Sequence, residues 1–551
     1  MPVHLPRSTG ARRLVSGALT VAAVLLLVVP ATLGDPVDET RVSTLVRLPV
    51  EPLLLLAVVL ALPAGRPRLR TAVAAGLGGV LGLALVFRGL DLGFLRALNR
   101  PFDPLIDWRY AGSLVGLLRD SFGPLLGTAL LVGAVVAAVA ALLLLPLAAV
   151  RVAGVAARHR PQAAAVTAVL LAGWLVVVLV GVPGPAGSLA TADTLRYVHH
   201  EVARVPGQLA DLREFEAAAR DDPAADVAPE DLVTALRGKD VLVVFVESYG
   251  RVALEDPALA PGVDRVLARG TRDLTDAGFD ARSAWLTSPT FGALSWLAHA
   301  TLQSGLWVDS QPRYDAVVTS RRLTLSRLFA RAGWRTVAVV PANDRDWPQA
   351  EFYDFDHVYD SRNLGYRGPR FGYPTMPDQY TLEALQRLEL EPRPRPPVMA
   401  EVDLITSHAP WSRVPLLVDQ ATVGDGSVFD GMPSRLDSAT DIWPDPTRIR
   451  AAYGHAIEYS LSALVRFLTT YGDDDLVVVV LGDHQPATVV SGDDAGREVP
   501  VTLLARDPAV LAAVDPWAWE PGLRPDPEAP VWRMDAFRDR FLTAFGTTPA
   551  P

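Results

Sequence analysis

Apolar residues come in long unbroken runs over the first third of the chain and in short ones after it. The long runs are Leu14–Leu33, Leu48–Ala64, Thr71–Phe87, Phe122–Val150 and Ala163–Val182. A helix rises about 1.5 Å per residue, so about 20 apolar residues cross a hydrocarbon core of about 30 Å. These runs predict an N-terminal α-helical transmembrane bundle of five spans within residues 1–184. Glu51 sits near the start of the second run, and the third is short and Gly-rich. The first run is followed by further spans and is therefore read as a span, not a cleaved leader.

Residues 185–236 are polar and helix-prone, with a break at Asp221–Pro229, and read as a helical connecting arm. From Asp240 onward the period changes. Near-continuous apolar runs of strand length, Val241–Val246, Thr336–Val340, Val398–Leu404, Leu476–Leu481 and Val499–Leu504, alternate with helical patterns over Ser320–Ala332, Gln379–Leu390 and Ala451–Leu468. Uninterrupted apolar strands are those of a parallel sheet covered on both faces. Residues 237–551 are therefore expected to form an α/β three-layer domain with a mostly parallel central sheet. Its ligands should gather at the carboxyl ends of the strands.

Charge adds an orientation. Arg7, Arg12, Arg13, Arg66, Arg68, Arg70, Arg151, Arg158 and Arg160 occupy the segments before the first run, between the second and third, and between the fourth and fifth; none of these segments holds an acid. The alternate segments mix signs, with Asp35, Asp38, Glu39, Asp91, Asp103, Asp107 and Asp120. The positive-inside rule then puts the N-terminus in the cytoplasm, and five crossings carry the α/β domain to the far side of a cell inner membrane. A net charge of -10 gives no basic face for nucleic acid. The absence of cysteine excludes disulfides, thiolate metal sites and cysteine nucleophiles.

Two strand ends carry candidate chemistry. One apolar run ends in Glu247-Ser248-Tyr249-Gly250, and a later one in Asp483-His484-Gln485-Pro486. An acid after a strand is often only a helix cap. An Asp-His pair there offers carboxylate oxygen and imidazole nitrogen, donors that suit Zn²⁺ or Mn²⁺. Between these ends lie a hydroxyl-bearing segment, Ser288–Gly305, a Ser407-His408-Ala409-Pro410 segment, and Asn343-Asp344-Arg345-Asp346-Trp347 after another strand.

This order of islands resembles the lipoteichoic acid synthase and phosphoglycerol transferase branch of the alkaline phosphatase/sulfatase superfamily, as does a five-span anchor before the catalytic domain. The resemblance implies one divalent ion (Mn²⁺, Mg²⁺ or Zn²⁺) held by Glu247, Asp483 and His484 together with the nucleophile. Matching the family's later Thr-Gly to Ser304-Gly305 puts the nucleophile at Ser295, with Thr290 as runner-up. A hydroxyl at a helix start is suited to an anionic phosphoryl group. His299 stands one turn beyond Ser295, where the family often has Glu. His408 matches the substrate-side His-x-Pro, as a catalytic and substrate-binding group; Arg345 and Trp347 match the head-group pocket. The implied activity is a metal-dependent phosphotransferase acting on a membrane lipid or cell-envelope polymer.

Two alternatives stay open: a phosphodiesterase, phosphatase or sulfuric-ester hydrolase of the same fold, and a catalytically silent membrane-anchored binding module. Formylglycine-type sulfatase chemistry is disfavoured, since there is no Cys and Thr287–Phe291 lacks the Cys/Ser-x-Pro-x-Arg pattern.

Overall fold

The computed structural model describes residues 9–32, 46–184, 187–371, 374–434 and 437–546. Arg7, Asp35, Asp38 and Glu39 of the charge comparison, and Leu33 of the first predicted span, lie outside the described residues. The chain divides into two compact units. One comprises Met1–Leu95, Arg100–Asp107 and Ala129–Ala210, and the other Arg96–Asn99, Trp108–Thr128 and Asp211–Pro551.

The first unit is helical. Helices α1 (Thr9–Thr32), α3 (Pro67–Leu98), α5 (Pro124–Arg158) and α6 (Arg160–Val180) each contain a stretch long and apolar enough to cross a membrane. The second predicted span differs: it forms only α2 (Glu51–Ala61), 11 residues long. Its prolines explain the difference. Pro52 stands in the first turn, where a missing N–H costs nothing, and Leu62, before Pro63, is extended with ψ 147. Upstream, Leu48–Pro49 is extended and pairs in parallel with Ala190–Thr191.

The segment is nonetheless tied along α6 at both ends. The Arg160 guanidinium donates to the carbonyls of Leu60 and Leu62 at 2.7 and 3.0 Å. At the other end, Trp174 Nε1 donates to the Leu48 carbonyl at 3.0 Å, and Leu48 N donates to the Leu189 carbonyl at 2.7 Å. The Gly-rich third run is a packing feature. A Cβ on Gly78 would lie 2.7 Å from the Leu145 carbonyl of α5, so only a residue without one allows this helix approach.

The second unit includes the short helix α4 (Ala111–Phe122), but its core is a 9-stranded sheet. In chain order the strands are β1 (Asp240–Val246), β2 (Asp280–Thr287), β3 (Arg335–Val340), β4 (His357–Asp360), β5 (Val398–Leu404), β6 (Leu476–Gly482), β7 (Glu498–Ala505), β8 (Glu520–Pro521) and β9 (Val531–Arg533). The spatial order is β8-β2-β7-β6-β1-β5-β3-β4, with β9 beside β2. From β6 to β4 every pairing is parallel, whereas β7 is antiparallel to both neighbours. Alternate residues of β1 enter opposite cores: Leu242, Val244 and Val246 one, Val241, Val243 and Phe245 the other. Helices α8 (Ala260–Asp276) and α10 (Pro446–Tyr471) cover the first face; α9 (Ser295–Ser304) and α11 (Ala536–Phe545) cover the second. Helix α7 (Asp193–Arg220) runs from the first unit into this one.

Candidate active site

Strand register assembles the site. Val246 is opposite Gly482 on one side and Leu404 on the other, so β1, β5 and β6 end level. The residues that follow, Glu247, Ile405 and Asp483, therefore emerge side by side at the carboxyl edge. The turns after β1 and β6 are in backbone contact. A Cβ on Gly482 would lie 1.9 Å from the Tyr249 carbonyl oxygen, so glycine is required there for the two turns to meet.

Within that junction the side chains are held from behind. Asp483 Oδ1 accepts from Ser248 N and His484 N, both at 2.7 Å, leaving Oδ2 turned inward. His484 Nδ1 lies 2.8 Å from the Gln485 carbonyl; as the donor there, it leaves the Nε2 lone pair free. Ser248 is in the left-handed region with φ 57, its carbonyl accepting from Tyr453 Oη at 2.9 Å and its hydroxyl donating to Glu247 Oε1 at 2.9 Å. Leu294, directly before Ser295, is also left-handed with φ 70. Two such non-glycine residues flanking one cluster mark a constrained site.

Ser295 opens α9, and its Oγ donates to Glu247 Oε2 at 3.0 Å and lies 3.2 Å from His484 Nε2. His484 Nε2 is 3.5 Å from both Glu247 Oε1 and Asp483 Oδ2. Donors around a divalent ion at about 2.0–2.2 Å stand about 3.3 Å apart in tetrahedral geometry. The four side chains fit such an ion, in donor type and in spacing. Burial alone would raise the Glu247 carboxyl, but positive charge on His408 and His484, whenever they are protonated, lowers it. Burial and the neighbouring Glu247 charge instead raise Asp483.

These groups open into a cavity of about 460 Å³ whose walls include Ser295, Trp296, Asn343, Trp347, Tyr353, Asp403 and His408. Tyr110, from the segment between α3 and α5 that packs in this unit, has its ring 6.1 Å from Trp296, and both side chains reach Gln311 Oε1. Two expected residues stand elsewhere. Thr290 is buried in the turn before α9, its hydroxyl donating to the Ala293 carbonyl at 2.6 Å. The Arg345 side chain is 89 % exposed beside Asp344 and does not line the cavity, because the chain beyond β3 turns it outward while Trp347 turns in.

A further group was not foreseen. Glu401 and Asp403 take successive positions on the face of β5 that meets α9, and His299 of α9 reaches both, at 3.0 and 3.7 Å. Burial disfavours the His299 cation, but Asp403 and Glu401 outweigh it and raise the imidazole to about 9. Burial raises Asp403 to about 7 against the pull of His299. The sequence did contain a signal: two acids at i and i+2 inside an otherwise apolar strand share one face.

Residues 290–500 match the Sulfatase family model, a stretch that takes in Ser295, His299, His408, Asp483 and His484 and begins after Glu247. That match lies wholly within the α/β unit and supports a phosphotransferase or hydrolase of the sulfatase superfamily. No curated protein sequence matches the chain. Among solved structures it is similar to the lipoteichoic acid synthase LtaP from Listeria monocytogenes, at 15% identity over 57% of this chain and 74% of that one, with TM-score 0.38. The Streptococcus pyogenes phosphoglycerol transferase GacH gives 12% identity over 60% and 91%, with TM-score 0.35. The Agrobacterium radiobacter phosphonate monoester hydrolase gives 16% over 50% and 69%, with TM-score 0.30.

Proposed function

We propose that this sulfatase-superfamily unit transfers a phosphoryl-linked head group, of phosphoglycerol type, from a lipid or cell-envelope glycopolymer donor through a covalent Ser295 intermediate. The observation that carries the reading is the Ser295 hydroxyl at a helix start, within 3.0–3.2 Å of Glu247 and His484. A divalent ion held by Glu247, Asp483, His484 and Ser295 would supply Lewis-acid polarisation of a phosphoryl oxygen and a more acidic serine hydroxyl.

The chain's own groups do the rest. Glu247 Oε2, which accepts from the Ser295 hydroxyl at 3.0 Å, takes its proton as Oγ attacks phosphorus and the bond to the leaving oxygen breaks. Free N–H groups at the start of α9 orient the equatorial oxygens. His408, on the cavity wall, gives a proton to the leaving oxygen. An acceptor hydroxyl then attacks phosphorus, the Oγ–P bond breaks as Glu247 returns the proton to Oγ, and His408 takes the acceptor's proton; with water as acceptor the outcome is hydrolysis. Trp347 and Tyr353, with ring centroids 5.4 Å apart, cover the head group and limit water.

The anchor fits a donor that stays in the bilayer. Arg151 reaches Ser16 Oγ at 3.2 Å, and Arg160 the Leu60 and Leu62 carbonyls, so the arginine-rich ends of α1, α2, α5 and α6 lie together. By the positive-inside rule that end is cytoplasmic, which supports placing the catalytic unit outside the cytoplasm of an inner-membrane protein. The test uses the full chain in detergent with a chromogenic phosphodiester. Ser295→Ala should lower turnover by about a thousandfold or more, and quenching the wild type should trap a mass increment on the Ser295 peptide. Full turnover in Ser295→Ala would refute the mechanism.

A further inference from the structure

Below Ser295, one helical turn along α9, His299 faces the two acids of β5. The three donor atoms, His299 Nδ1, a Glu401 oxygen and an Asp403 oxygen, lie within 4.8 Å of one another. His299 Nδ1 stands 3.0 Å from Glu401 Oε1 and 3.7 Å from Asp403 Oδ1. Cis donors around an ion with metal–ligand bonds of about 2.1 Å are about 3 Å apart, so the spacing suits coordination.

Two of the three, His299 and Glu401, are oriented by a group behind them. The His299 ring stacks on Phe245 at 3.8 Å and 11°. Gln303 Nε2 holds Glu401 Oε2 and leaves Oε1 toward the cluster, while Gln303 Oε1 accepts from Ser326 N. Such support is what fixes a ligand's direction at a metal centre.

A plain ion pair accounts for only part of this. It satisfies Glu401, yet Asp403 Oδ1 is buried and accepts no hydrogen bond. The side chain is 20 % exposed, and that exposure is into the cavity. Charge points the same way. Glu247, Asp483, Glu401 and Asp403 all line one cavity; one divalent ion balances two of the four and a protonated His299 a third, which leaves one carboxylate uncompensated. Buried carboxylates left without a cation are costly.

We infer that His299, Glu401 and Asp403 hold a second divalent cation, about one helical turn from the Ser295 centre, with its open positions facing the cavity. One imidazole nitrogen and two carboxylate oxygens suit Zn²⁺ or Mn²⁺. The ion neutralises β5's two acids and offers a second cationic contact to the phosphodiester's oxygens. This contact role rests on the proposed phosphotransferase reading; the binding site itself does not.

Equilibrium dialysis of the chelator-stripped full chain in detergent against Mn²⁺, and separately against Zn²⁺, counts bound ions. Two per chain are expected in the wild type, with one lost in Asp483→Asn and the other lost in Asp403→Asn. His299→Gln is a second route to the same loss, and near-ultraviolet circular dichroism checks that each variant is folded. One ion in the wild type, kept by Asp403→Asn and lost by Asp483→Asn, would overturn this inference and leave the Ser295 centre standing. One ion with the reverse pattern would uphold it and sink that centre. No bound ion would overturn both.

Discussion

Asp222, in the break that follows α7, makes a connection whose loss can be worked out in advance. Arg538 of α11 has a side-chain exposure of 0 %, and its two terminal nitrogens donate to the Asp222 oxygens at 3.1 and 3.0 Å. Asp222 is itself 4 % exposed, accepts from Leu323 N at 2.8 Å and Ala224 N at 3.1 Å, and faces the buried Arg322 at 3.5 Å. Burial would raise the Asp222 carboxyl, but the hydrogen bonds and charge of Arg538 hold it below the usual range. Asp222→Ala thus removes the shared anion of two enclosed guanidiniums; the other acid near Arg538, Asp539, is 58 % exposed. Two charge-assisted hydrogen bonds at about 1.5–3 kcal/mol each set the scale. Breaking a buried pair from one side costs about 3–5 kcal/mol. At roughly 2–3 °C per kcal/mol for a large unit, the unfolding midpoint should fall by about 6–15 °C. The assay is thermal unfolding of Asp222→Ala, Arg538→Met and the double variant. Removing both partners cures part of the damage, so the double variant should be at least about 2 kcal/mol more stable than additivity predicts. Strict additivity, or an unchanged midpoint in Asp222→Ala, would refute the reasoning.

Two further outcomes follow from the same structure. Gly482→Ala sets a Cβ 1.9 Å from the Tyr249 carbonyl oxygen, so the β1 and β6 turns must part; diester turnover should fall at least about a hundredfold, since displacements of about 1 Å cost that much, with the fold retained by circular dichroism. Turnover near wild type would show that the junction does not set the geometry. Asp378 gives a pH signature. Burial raises its carboxyl to about 6, despite hydrogen bonds from Ser460 and Thr406. Its folded value therefore exceeds the unfolded value of about 3.9. The stability it contributes is complete below pH about 4 and is lost as pH rises through about 6. Asp378→Asn should gain on the wild type between these pH values by at most about 3 kcal/mol; a variant-minus-wild-type stability difference that falls as pH rises would contradict this.

What the sequence could reveal depended on whether burial left a pattern in it. Strands β1, β5 and β6 are apolar throughout because helices cover both faces, and their ends were legible within a residue. Strand β2, Asp-Ala-Arg-Ser-Ala-Trp-Leu-Thr, was not. It lies between β7 on one side and β8 and β9 on the other, where Ser283 bonds to Thr502 Oγ1 at 2.7 Å and the Gly522 carbonyl at 2.6 Å, so pairing there does not require an apolar run. The second run forms a short helix because Pro52 fixes its first turn and Pro63 follows its end, which hydropathy does not register.

The residues around Ser295 show where such reading stops. Glu247 and the Asp483-His484 pair were visible because each directly follows a strand whose end an apolar run defines, and level ends bring them together whatever the loops do. Arg345 and Trp347 lie beyond a strand end in irregular chain, where two residues' distance decides which side chain turns in, and no period reports that. Glu401 and Asp403 are the opposite case. They sit in regular structure, and their spacing states that they share a face, but an apolar strand invites attention to its end and not to its middle. A charge inside a buried strand must be matched by something on the same face. Here His299 matches only part of it, and the remainder is the strongest sign in this fold of a ligand still to be found.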